Sequence, residues 1–162
     1  MSGPAAKHCV SLDEVATADL SKGRDAFLRK PLGRTAGGQQ LGASWYRLAP
    51  GERSWPAHSH AVNEEALFIL NGSGQLRLGE SWLPIKAQDY VALPANKALP
   101  HQLHNDGDVA LEYLCVSTMQ PVDVTFYPDT ATLRVFVGSA PGGDAALRVH
   151  DQTYPQSLER EP

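Results

Sequence analysis

In the stretch Gly51-Glu52-Arg53-Ser54-Trp55-Pro56-Ala57-His58-Ser59-His60-Ala61-Val62-Asn63-Glu64-Glu65, two histidines stand two positions apart. Side chains at i and i+2 share one face of a β-strand, so both imidazoles point to the same side and a metal ion can bridge them. A carboxylate arrives at Glu65, where the next strand is expected to start, and a further histidine comes at His101 after two more hairpin-like connections. Three imidazoles and a carboxylate suit a first-row divalent metal. Adjacent strand residues face apart, so at most one of Glu64 and Glu65 is expected to be a ligand unless a bulge intervenes. His101 and His104 face apart for the same reason.

Outward from this stretch, the chain alternates apolar and polar residues in short runs broken by Gly, Pro, Asn and Asp, the pattern of an all-β sandwich or barrel with little helix. Strands are predicted at Leu41 to Leu48, Glu65 to Leu70, Gly74 to Leu78, Ser81 to Ile85, Tyr90 to Leu93, His101 to His104 and Leu111 to Thr118. Asn71-Gly72-Ser73-Gly74 and Gly79-Glu80 supply the positive φ values that tight hairpins need. Residues 1–40 read as an N-terminal arm, 41–120 as the barrel core, and 121–162 as C-terminal strands and tail completing the same domain. In that tail a strand is predicted at Leu133 to Val137 and a short run at Ala145 to Val149, separated by the loop from Gly138 to Gly143. Both are expected to extend the edge of the central sheet.

With 162 residues the chain has the length of one domain, and 42% apolar with 20% charged residues is ordinary for a globular protein. A net charge of -4 offers no cationic surface for a nucleic acid. The N-terminal stretch lacks the apolar segment of a signal peptide, and the run Ala66 to Leu70 is too short to span a bilayer, so a cytoplasmic protein that takes a small ligand is expected. Cys9 and Cys115 lack the paired spacing of a zinc knuckle and read as reduced thiols. Of the six histidines, His8 and His150 lie in terminal segments and read as surface residues.

The residues from Gly51 to Asn105 resemble the cupin superfamily. Its first motif has Gly, His-x-His, Glu and then Gly after six intervening residues, matched by His58, His60, Glu65 and, after residues 66–71, Gly72. Its second ends in Pro, His and Asn, matched by Pro94, His101 and Asn105. The chain departs from these motifs at Gly51, one residue too far from His58, at Gln88, where Gly-Asp is usual, at Asn96, which replaces a glycine, and in two extra residues before His101. The resemblance implies a double-stranded β-helix, or jelly-roll, barrel with a divalent ion (zinc, manganese, iron or nickel) held by His58, His60, Glu65 and His101. It also implies a homodimer whose terminal strands pack across subunits.

Fold does not choose among the chemistries of such a pocket. The leading expectation is metal-dependent isomerisation of a small polar substrate, with sugar phosphates the class suggested by resemblance to phosphomannose-isomerase-type cupins. Glu64 or His104 would be the proton-transfer base if its loop turned it inward. An iron-dependent dioxygenase needs the same ligands, and a non-catalytic ligand-binding cupin needs none of the turnover. Arg47, which shares strand parity with Trp45, together with Trp55 and Tyr113, are the substrate-binding candidates. Gln102, Arg53, Arg77 and Lys97 are further polar candidates, while Trp45 and Trp82 read as core.

Overall fold

The computed structural model describes residues 8–20, 27–96, 98–138 and 148–153. The strands are β1 (Ala18–Asp19), β2 (Leu28–Lys30), β3 (Leu41–Leu48), β4 (Ser59–His60), β5 (Glu65–Asn71), β6 (Ser73–Leu78), β7 (Ser81–Lys86), β8 (Tyr90–Leu93), β9 (His101–His104), β10 (Leu111–Thr118), β11 (Val122–Tyr127), β12 (Thr132–Val137) and β13 (Arg148–Thr153), with one short helix, α1 (Leu32–Thr35). β3, β8, β9 and β10 occupy their predicted ranges, and β5, β6, β7 and β12 each run one residue further. The corners fall where the sequence places them, with Gly72 at φ 79° and Gly79 at φ 63°. At Gly72 a Cβ would also collide with the Ala110 carbonyl, so only glycine fits that hairpin.

One antiparallel sheet has the order β1-β2-β3-β10-β5-β8. Opposite it stand β7-β6-β9 and β13-β12-β11-β4, joined by the segment 53–58, which bridges to β9 at Arg53–His104 and His58–His101. The core fills the space between, with Tyr46, Leu48, Leu67, Ile69, Leu93, Leu111 and Tyr113 from the first sheet meeting Leu76, Ile85 and Leu103 from the second. Leu48, Ile69 and Leu111 are fully buried, each worth roughly 1.5–3 kcal/mol relative to exposure.

Three features depart from the sequence reading. Residues before 41 are woven into the sheet, since β2 pairs with β3 along Leu28–Arg47, Arg29–Tyr46 and Lys30–Trp45, and Phe27 is buried in the core. The tail strands β12 and β13 do not extend the six-stranded sheet. They continue from β11, a strand the sequence reading lacks, into the opposite sheet. The loop from 139 to 143, residues 145–147, Lys97 and the side chain of His150 lie outside the described residues.

Gln88 stands at φ 77°, in the left-handed region, where the motif leads one to expect glycine. The turn holds it there. Its amide donates to Ile69 O at 2.8 Å, and the Asp89 carboxylate accepts from the Lys86 amide at 2.9 Å. Asn96 contributes instead through its side chain, whose Oδ1 accepts from the Ala98 amide at 2.8 Å. A non-glycine residue in left-handed backbone costs about 1 kcal/mol, so Gln88→Gly is expected to stabilise the protein by about that much and to raise its thermal midpoint by roughly 2–4 °C. Circular dichroism melts check this, and an unchanged or lower midpoint would show that the turn carries no strain.

Candidate metal centre

The segment 53–60 lies beside β9 because main-chain groups of His58 and His101 pair reciprocally, at 3.2 Å and 2.8 Å. That pairing puts His58 against His101. Two residues on, His60 is carried by β4 opposite Thr125 of β11, and Glu65 opens β5 in the facing sheet. The ligand atoms of His58, His60, Glu65 and His101 all lie within 4.8 Å of one another. Glu65 spans two of the rings, with Oε1 3.7 Å from His60 Nε2 and Oε2 3.3 Å from His101 Nε2.

The outward nitrogens of two rings are already committed. His58 Nδ1 donates to the Pro56 carbonyl at 2.8 Å, and His60 Nδ1 donates to Asp123 Oδ2 at 2.7 Å. Both bonds fix the tautomer that leaves Nε2 as a bare lone pair. His60 Nε2 is buried and has no hydrogen-bond partner. A buried acceptor of this kind is costly, and a divalent cation would satisfy it together with the other three donors, so the residues fit the metal.

Charge follows from the same packing. Burial, reinforced by the neighbouring His101 and His60 rings, pushes His58 down to about 3. The unfolded chain therefore binds a proton below the ordinary histidine range that the folded ring refuses, and this position costs stability as pH falls from about 6.5 towards 3. Burial also works against the charges on His60 and Glu65, yet it is outweighed. The Asp123 hydrogen bond and the Glu65 and Asp123 charges raise His60, while the His101 hydrogen bond and the three rings hold Glu65 down at about 2.

Residues 44–117 match the cupin domain family. The fold is similar to that of a sugar phosphate isomerase from a cupin superfamily of Silicibacter pomeroyi, with a TM-score of 0.74 and 26% identity over 82% of this chain and 90% of that one. The barrel built on residues 44–117 is a cupin domain. A candidate sugar phosphate isomerase of Acidithiobacillus ferrooxidans shares the fold, with a TM-score of 0.73 and 24% identity over 90% and 98% of the two chains. Auxin-binding protein 1 of Arabidopsis thaliana is 33% identical over 91 residues, which is 51% of this cupin and 44% of that protein. The cupin thus matches less than half the length of that relative. Among the described residues no helix is long and apolar enough to cross a membrane.

The other nominated residues are distributed around the barrel. Tyr113 is buried on the interior face, stacked on Tyr46 at 5.1 Å. Trp55 is partly exposed and packs edge-on against Phe27, with its carbonyl accepting from Gln102 Nε2 at 3.0 Å. Arg47 lies on the outer face, half exposed and 3.7 Å from Glu112, because its strand parity opposes the inward Tyr46 and Leu48. Glu64 is exposed, and His104 turns away from the cluster towards Trp82, 6.3 Å between rings. Neither joins the four donors. Trp82 is itself exposed, under the Arg53 guanidinium, and Arg77 is paired with Asp129 at 2.7 Å.

Sequence reasoning missed Asp123. Fully buried, it also accepts from the Val62 amide at 3.0 Å and the Asn63 amide at 3.4 Å. Its signal was the alternation Val122-Asp123-Val124-Thr125 with the polar residues inward, and Thr125 Oγ1 lies 3.3 Å from His60 Nδ1. His58→Ala or His101→Ala is expected to strip most of the bound metal, Glu65→Gln to weaken binding more than Glu64→Gln, and Asp123→Asn to weaken it roughly 10–100-fold. His104→Ala leaves it intact. Elemental analysis and competitive chelator titration measure all six, and equal metal content throughout would sink the assignment.

Proposed function

We propose that this cupin holds a divalent ion through His58, His60, Glu65 and His101 and performs isomerase-type chemistry on a small sugar phosphate. The observation that carries this reading is the polar wall beside the four donors. The Glu65 charge acts on Tyr46, Tyr113 and Cys115 of its own six-stranded sheet, and Ser44 lies on the same inward parity of β3 as Tyr46. Burial first, then the neighbouring Tyr46, keeps the Tyr113 phenol protonated, burial and then the Glu65 charge does so for the Cys115 thiol, and burial does the same for Tyr46 despite Arg29. These groups therefore present hydrogen-bond donors to substrate oxygens. The fold similarity to the Silicibacter pomeroyi sugar phosphate isomerase supports the same class.

A bound divalent ion supplies Lewis acidity to a carbonyl and its neighbouring hydroxyl. Glu65 stays ionised and anchors two of the rings, and the tyrosines orient the substrate by donating to its oxygens. A second reading, a ligand-binding cupin without turnover, draws on one specific observation, that both nominated bases, Glu64 and His104, stand outside the donor cluster. Self-association as a dimer belongs to the proposal as well, supported by exposed Phe68, Leu70 and Tyr90 on β5 and β8.

Anaerobic interconversion of aldose and ketose phosphates by protein loaded with zinc, manganese, nickel or iron tests the reading. Turnover with zinc alone is expected. Oxygen uptake with phenols or diketones confined to the iron form would replace it with dioxygenase chemistry, and silence in both assays with retained ligand binding would leave the binder. Sedimentation velocity is expected to give twice the chain mass.

A further inference from the structure

We propose that Arg29 forms an anion-binding end of the pocket, which takes the phosphoryl group of a substrate whose opposite end meets the His58, His60, Glu65 and His101 cluster. Arg29 stands opposite Tyr46 in the β2–β3 ladder and so shares its inward face. Its Nε donates to Ser44 Oγ at 3.1 Å, and its guanidinium carbon lies 5.9 Å from the Tyr46 ring centroid. Those two contacts pin the head of a long side chain over the interior face, where an arginine on a solvated face would swing free.

Glu65 lies on the other side of the same wall. Tyr46 and Cys115 on this wall feel both charges, Arg29 favouring their ionised forms and Glu65 disfavouring them. Ser44, against which the guanidinium rests, stands opposite Cys115, and Cys115 stands opposite Leu67 of β5, two residues from Glu65. Two strand spacings are about 10 Å. A short polyol chain with metal-seeking oxygens at one end and an anion at the other matches that separation, and an apolar aromatic substrate does not. Guanidinium geometry suits the paired oxygens of phosphate. Arg47, Arg53 and Arg77 do not compete for this role, since they face Glu112, Trp82 and Asp129 outside the barrel.

The choice of phosphate rests on the proposed function, but the test does not need turnover. Inorganic phosphate is titrated calorimetrically into metal-free and zinc-loaded protein of the wild type, Arg29→Gln and Arg29→Lys, with acetate as a parallel probe and zinc content measured for each. Wild type is expected to bind phosphate with or without zinc. Arg29→Gln is expected to bind it at least about tenfold more weakly with zinc content unchanged, and Arg29→Lys to fall between. Should Arg29→Gln lose its zinc, Arg29→Lys must still show the weakened phosphate binding. Phosphate binding that requires zinc and ignores Arg29 would overturn the inference, as would preference for acetate. Arg29-dependent phosphate binding without sugar phosphate turnover would sink the isomerase and leave this subsite standing.

Discussion

The hydrogen bond from His60 Nδ1 to Asp123, 2.7 Å long and buried at both ends, is the interaction that joins the parts of this molecule. It ties β4 to β11, and through β11 to the C-terminal strands. A carboxylate without exposure must have its lone pairs satisfied, and Asp123 meets this with one imidazole and two backbone amides. The consequence reaches the site, because the ring orientation that pays this cost is the one that aims Nε2 at Glu65 and His101.

Around that bond the barrel reconciles two opposed demands. A two-sheet core is stabilised by excluding water, while the donor cluster puts three rings and a carboxylate into the same interior. The structure separates them along the strands. Tyr46, Tyr113 and Cys115 stand between the aliphatic residues and Glu65, as groups that can donate hydrogen bonds yet remain neutral. The thiol of Cys115, read from the sequence as a reduced thiol without a partner cysteine, sits in this transition zone.

Much of the barrel was legible because its strands are short runs rich in apolar and β-branched residues, bounded by Gly, Pro, Asn and Asp. Leu41–Leu48 and Leu111–Thr118 are recognisable as short apolar-rich runs between turn residues, although Ser44 faces inward and Leu41 outward, and the His-x-His pair with its downstream glutamate and histidine is legible because a period of two fixes which side chains meet. β11 inverts the usual facing of apolar side chains inward. Its inward residues are Asp123 and Thr125 while Val122 is half exposed, so hydrophobicity places the strand on the wrong face or hides it. β2 is hidden for another reason: three residues are too few to show a period, and Arg29 gains meaning only once the ladder sets it opposite Tyr46. Arg47 failed as a ligand candidate through the same parity, since sharing a face with Trp45 put it outside.

The residues that individualise the site come from outside the segment matched by the cupin family. That segment, 44–117, contains all four donors. Arg29 precedes it. Asp123, Thr125 and Tyr127 follow it, the last with its ring 5.8 Å from that of His58 and under the Arg134 guanidinium. The matched segment supplies the donors and the inward Tyr46 and Tyr113, and the flanking strands add to them. Here those strands bring one arginine held over the interior wall and a buried carboxylate that orients a ligand ring. The segment matched by the cupin family therefore carries the donor set, while the proposed anion subsite and the carboxylate that orients His60 lie on either side of it, in β2 and β11, where only the geometry of the strands gives the side chains their meaning.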